Sequence, residues 1–174
     1  MPNYVFNNTT ISNFAAVGRL DLLETHYRGI AFTTLAVSHE LRRGVQAGYS
    51  YLESAWQQLA AINPNGWLHV LTPTSPQEYQ LQAEFDLLLD PGEAACLALA
   101  ITRQFIFITD DLAARRLAKA RKVPLTGTLG ILIKLVQINS LALNEANNLL
   151  TNMIQLRYHS PVTRLDELVE LSQK

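Results

Sequence analysis

Along the chain, short and strongly apolar runs alternate with longer stretches in which apolar residues recur every three or four positions. Tyr4-Val5-Phe6, Ile30-Ala31-Phe32-Thr33, Trp67-Leu68-His69-Val70-Leu71 and Phe105-Ile106-Phe107-Ile108 are too short for stable helices and rich in β-branched or aromatic residues, so they predict strands. The last is apolar throughout, as expected of a strand covered on both faces. Val123-Pro124-Leu125 predicts a short final strand at a sheet edge, because Pro124 has no N–H for a ladder. Helical spacing fills the intervals: around Phe14, around Leu22, from Leu35 to Ala47, and from Ser50 through Leu59. Further helices are predicted from Ser75 towards Leu87, from Asp90 to Thr102, from Asp111 to Lys122, and from Thr128.

Strands that alternate with helices predict an α/β fold, a three-layer α/β/α arrangement around a mostly parallel sheet joined by right-handed crossovers. Strand order is not determined by this pattern. Two more helices are expected after Ser140 and after Pro161, where Leu143, Ala146, Leu150, Met153 and Ile154, then Leu165, Leu168 and Val169, fall at helical spacing. Residues 1–139 therefore read as the α/β domain. Residues 140–174 read as a helical extension, packed on that domain or used for association as a homo-oligomer.

A chain of 174 residues is long enough to bury one core, and 48% hydrophobic against 17% charged content is an ordinary globular balance. The single Cys96 lies in an apolar run, where it reads as a small buried hydrophobe. The start at Met1-Pro2-Asn3-Tyr4 and the lack of a membrane-length apolar run predict a cytoplasmic protein with no membrane partner. A net charge of −1 argues against a protein that coats nucleic acid through many phosphate contacts, though not against an enzyme gripping a short stretch. Positive charge is concentrated in Arg115, Arg116, Lys119, Arg121 and Lys122, either a solvated helix face or a patch that meets phosphate.

In open α/β sheets, sites form beyond the carboxyl ends of the strands, so the polar residues there carry the chemistry. Asn7 and Asn8 follow the first strand, and Thr109, Asp110 and Asp111 follow the fourth; Glu40 and Glu93 lie on helices that start near the same edge. Each has a plain structural alternative. Glu40 can pair with Arg43, Asp90 and Glu93 have capping-box spacing around Pro91, and either aspartate can cap the next helix. As a set they offer convergent oxygen ligands, which suit Mg²⁺ or Mn²⁺ better than zinc. His26, His39, His69 and His159 lack paired ligand spacing and read as structural or surface residues.

The segment Asn7–Leu23, the Pro91-Gly92-Glu93-Ala94-Ala95 helix start, and Ile108-Thr109-Asp110-Asp111 followed by Ala114-Arg115-Arg116-Leu117-Ala118 and Gly127-Thr128-Leu129-Gly130 together resemble a PIN domain. The branch resembled is the one related to VapC-type toxins of toxin–antitoxin pairs. The resemblance implies an α/β/α fold and a Mg²⁺- or Mn²⁺-dependent ribonuclease, with RNA as substrate and an antitoxin-like protein as partner. Carried over by position, its acids fall on Asn7, Glu40, Glu93 and the Asp110/Asp111 pair. The Thr109-x-Asp111 spacing slightly favours Asp111. Thr9, Thr109, Arg115 and Arg116 are the candidates for orienting water or substrate.

One position departs from the family. Its first acid is an aspartate, and this chain has Asn7, whose carbonyl can still ligate a hard cation but whose neutrality weakens the hold on it. The alternative to a ribonuclease is therefore a degenerate PIN-like protein that binds RNA or a protein partner. Two other α/β classes fit worse. A phosphoacceptor domain wants an aspartate after a central strand and a lysine near the last, and a haloacid-type phosphatase wants D-x-D where Asn7-Asn8-Thr9 stands.

Overall fold

The computed structural model describes residues 1–172. Five parallel strands form one sheet: β1 (Tyr4–Phe6), β2 (Ala31–Thr34), β3 (His69–Leu71), β4 (Ile106–Ile108) and β5 (Leu125–Thr126), in the order β3-β2-β1-β4-β5. β1 lies at the centre, with Tyr4 beside Ala31 on one side and Ile106 on the other. The final strand is at an edge, as Pro124 predicts. The third is shorter than the apolar run suggests. Trp67 and Leu68 are buried but precede the ladder, Leu68 making only an isolated bridge to Leu59.

The helices are α1 (Asn8–Ala16), α2 (Leu20–Tyr27), α3 (Leu35–Gln46), α4 (Tyr51–Trp56), α5 (Pro76–Phe85), α6 (Pro91–Arg103), α7 (Leu112–Ala120), α8 (Thr128–Gln137), α9 (Leu143–Gln155) and α10 (Asp166–Leu171). With the sheet they make the three-layer α/β/α architecture. α6 is its central helix: every residue from Gly92 to Ala100 is buried, and it packs on β1, β2 and β4 and on α3, α5 and α7. A helix buried over so many consecutive residues needs neighbours on every side.

Three of the βα connections are so short that a residue at the strand's end, or within three positions of it, caps the next helix. Asn7 caps α1, Thr34 caps α3 through the Val37 N–H at 3.3 Å, and Asp111 caps α7 through the Ala114 N–H at 2.7 Å. Three helix N-termini are thereby brought to the carboxyl edge of the sheet, where their partial positive charge is available.

α9 and α10 belong to the same core. α9 packs on α8 and α1, and α10 on α8. Ala146, Leu150, Met153, Leu165 and Val169 are buried together with strand residues Val5, Phe6 and Phe107. Much of the apolar stripe that the sequence made available for association is covered within the chain itself. No described helix is long and apolar enough to cross a membrane.

Candidate active site

The acids gather at the carboxyl edge of β1, β2 and β4, each delivered by a different element. Glu40 extends from α3 and accepts the Gly92 N–H at 2.9 Å; no ion pair with Arg43 forms among the described residues. This approach is possible because Gly92 lacks a side chain: a Cβ there would collide with the Glu40 carboxylate. Burial, with repulsion from Asp90, raises the Glu40 pKa against the pull of the Gly92 N–H and Arg43.

Glu93 opens α6. One oxygen accepts the Asp90 N–H at 3.3 Å, and the other receives the Asn7 amide N–H at a long 3.5 Å. Burial chiefly, and then the Asp111 carboxylate, push its pKa up to about 7. Asp111 caps α7 through Oδ1 and leaves Oδ2 without a hydrogen bond among the described residues. Glu93 and Asp111 line one small cleft with Asp86 and Asp90.

Asn7 is buried in the middle. Its Oδ1 accepts the Asn8 N–H at 2.7 Å, so its Nδ2 is the atom turned towards the acids, donating to Thr109 Oγ1 at 3.2 Å as well as to Glu93. Asn7 thus presents an N–H to Glu93, a group that hydrogen-bonds a carboxylate and cannot ligate a cation.

Asp110 and Asp111 adjoin in sequence and part company in space. Asp110 is enclosed by donors: Thr10 Oγ1 at 2.8 Å, Asn13 Nδ2 at 3.2 Å, Thr128 N at 2.9 Å, Thr128 Oγ1 at 2.5 Å and Tyr158 OH at 3.3 Å. It therefore knots α1, the N-terminus of α8 and the segment after α9. Gly127 allows this, since a Cβ there would sit 2.5 Å from Asp110 Oδ1. The α8 N-terminus holds the Asp110 carboxylate.

The remaining candidates divide in the same way. Thr109 is fully buried and accepts from both Asn7 and the Asp111 N–H, while Thr9 accepts the Asp110 N–H at 3.1 Å. Arg115 donates to the Thr109 and Thr126 carbonyls at 2.8 and 3.3 Å, tying β4 to β5. Arg116 is exposed on α7. Arg121 pairs with Glu84 and lies over the Phe85 ring, so the basic segment is not one uniform patch. Cys96 is fully buried, its thiol donating to the Phe6 carbonyl and its pKa raised by burial.

Sequence reasoning did not single out Thr10, Asn13 and Tyr158 as partners of Asp110, nor the Gly92 N–H as the anchor of Glu40. Gly92 beside Glu93 was the one local signal available; Tyr158 offered none, lying 48 residues away from Asp110.

Comparison with known proteins meets this geometry. A family model described as PIN domain matches residues 3–174. The chain belongs to the PIN domain family. The match extends through α9 and α10, in keeping with their place in the core. Among solved structures, the crystal structure of PAE2754 from Pyrobaculum aerophilum superposes with a TM-score of 0.54 at 15% identity, covering 78% of this chain and 98% of that one; it supports the fold. Among curated proteins, none matches this chain.

The donors of this PIN domain fit a hard divalent cation in kind. Glu93 and Asp111 are carboxylates whose mutual repulsion a dication would relieve, and Glu40 holds the N–H of Gly92, the residue before Glu93. In the described residues, however, no three acidic, histidine or cysteine side chains stand together closely enough to hold one ion. The fit is of a two-carboxylate site with Glu40 next to it.

Proposed function

We propose that the protein is a divalent-metal-dependent endoribonuclease whose centre is Glu93 and Asp111, supported by Glu40. The observation that carries this reading is the confrontation of Glu93 with Asp111 at the strand edge, with burial and repulsion raising Glu93 to a pKa of about 7. Bound Mg²⁺ or Mn²⁺ would supply an activated water and charge stabilisation for phosphodiester hydrolysis. The chain's own contribution is placement. Asp111 is held by its capping bond on α7, Glu40 by the Gly92 N–H, and Glu93 by the Asp90 and Asn7 N–H groups. Asp110, enclosed by donors, positions Asp111 through the chain rather than meeting substrate. Arg116, exposed on the helix that Asp111 caps, suits a phosphate contact.

One observation favours a second reading. The Asn7 N–H points where a ligand oxygen would serve better, so a PIN domain that binds RNA or a protein without cleaving it fits this feature. Titration with Mn²⁺ and RNA cleavage measured on one sample separate the two. Mn²⁺-dependent cleavage that vanishes in Asp111→Asn supports the enzyme; no Mn²⁺ uptake and no cleavage supports the binder.

The family resemblance extends the proposal to a cytoplasmic toxin controlled by an antitoxin-like protein. Leu87, Leu88 and Leu112, exposed by 84%, 64% and 68% around the acids, offer such a partner, or a second copy of the chain, an apolar hold. Light scattering with and without a candidate partner tests this.

A further inference from the structure

A groove of about 970 Å³ has Asn8, Asp110 and Asp111 in its lining. Its walls are unusually aromatic. Tyr49 enters from the connection between α3 and α4, Tyr51 from the first turn of α4, and Tyr158 and His159 from the segment after α9. Aromatic side chains normally bury themselves, but Tyr49 remains 56% exposed and Tyr51 39%. They form an edge-to-face pair, centroids 6.2 Å apart and planes inclined at 65°, which holds the rings upright without covering their outer faces. Tyr158 is fixed differently, its hydroxyl donating to Asp110. Arg157 lines the same groove, exposed, and makes no ion pair among the described residues.

We infer that this groove is a stacking subsite for the unpaired bases of single-stranded RNA, with Tyr49 and Tyr51 as the platform and Arg157 as a contact for the backbone. The inference rests on the nuclease reading for the identity of the ligand, and adds which side chains hold its bases. Flat rings with open faces and a cation alongside are what base stacking requires, and a base paired in a duplex cannot offer its face to them. The common lining by Asp111 places the strand's next phosphate near the acids. A protein segment is the competing occupant; against it, the groove pairs a free arginine with aromatic faces and has few aliphatic walls.

The test measures binding rather than cleavage. Fluorescence anisotropy in EDTA follows a labelled oligoadenylate, alone and annealed to oligouridylate, on the full chain. Tyr49→Ala/Tyr51→Ala should weaken single-strand binding about tenfold or more, given the worth of one base–aromatic stack. Tyr49→Phe/Tyr51→Phe should bind like the unaltered protein, because phenylalanine keeps the face and loses only the hydroxyl. The duplex should bind more weakly than the single strand. Both tyrosines are exposed, and circular dichroism confirms that the variants fold. Equal affinity of the alanine pair and the unaltered protein overturns the inference and leaves the groove to a protein partner. Equal loss in the phenylalanine pair, or equal binding of duplex, overturns it too. The two proposals fail separately. Loss of binding in the alanine pair, in a protein that takes up no Mn²⁺ and cleaves nothing, keeps the groove and removes the nuclease. Metal-dependent cleavage with a neutral alanine pair does the reverse.

Discussion

Glu78 and Glu93 occupy the same local place in two helices. Each stands three residues after a cap residue and two after a proline, in Ser75-Pro76-Gln77-Glu78 and Asp90-Pro91-Gly92-Glu93, and both are buried. Their surroundings could hardly differ more. Glu78 accepts from Arg103 Nε at 2.7 Å, from the Thr74 and Ser75 N–H groups at 2.6 and 3.2 Å, and from Thr102 at 3.2 Å; Arg103 chiefly holds its pKa down at about 2. Glu93 is buried with two long hydrogen bonds, no cation partner among the described residues and another carboxylate facing it, so its pKa rises to about 7. One glutamate closes a joint between α5 and α6. The other is left with unsatisfied charge where the sheet opens. An acid that is buried but poorly paired stores free energy that a cation or proton can release, which is why such groups mark functional places. Asp110 and Asp111 repeat the lesson one bond apart.

Breaking the Glu78 joint should have the largest effect. Glu78→Gln leaves Arg103 without its partner and should cost about 3 kcal/mol, or about 10 °C in melting temperature at pH 7. A melt within about 2 °C of the unaltered protein would erase the contrast. Asp110→Asn should come next, at about 2 kcal/mol, because hydroxyl and amide donors around it lose a carboxylate. Asp111→Asn should cost under about 0.5 kcal/mol, since asparagine caps α7 equally well, yet it should abolish Mn²⁺ uptake in calorimetry. If Asp110 proves the metal-sensitive member, the assignment is reversed.

The two glutamates should also give pH effects of opposite direction. Glu78 has a lowered pKa, so its stabilisation is complete above its ordinary value of 4.5 and is lost as pH falls towards about 2. Glu93 has a raised pKa, so folding opposes its ionisation, and the penalty grows as pH rises from 4.5 to about 7. Glu93→Gln should therefore gain about 1 kcal/mol at pH 8, after allowance for solvent screening, and nothing at pH 4. Denaturant melts across that range check both slopes. Asn7→Asp should lose about 1 kcal/mol without metal as its N–H to Glu93 disappears. It should tighten Mn²⁺ binding about tenfold by restoring a charge, and unchanged affinity would take position 7 out of the site.

Much of the fold was legible because it is local. The alternation of apolar runs with helical periodicity marked each strand and each helix of the layers, and Pro124 marked the edge. The run at Trp67-Leu68 misled by two residues, because burial against other parts of the core looks the same in sequence as membership of a ladder. The tail was ambiguous for a similar reason: a stripe such as Ala146, Leu150 and Met153 states that a face must be covered, and not by what. In the site, Glu40, Glu93 and the aspartate pair could be named from their places after strands and at helix starts. Which aspartate faces Glu93 could not, since adjacent residues diverge only once α1, α8 and Tyr158 close around one of them.

Sequence by itself determined the elements and the position of acids just past a strand and at a helix start, because hydrophobic period and capping chemistry act within a few residues. Tertiary structure alone decided the strand order, the joining of α9 and α10 to the core, and the division of like residues into paired and unpaired. Protonation energy and hydrogen-bond supply depend on which distant donors arrive. Arg103 reaches Glu78 and Tyr158 reaches Asp110, whereas Glu93 meets the neutral amide of Asn7 and the like charge of Asp111.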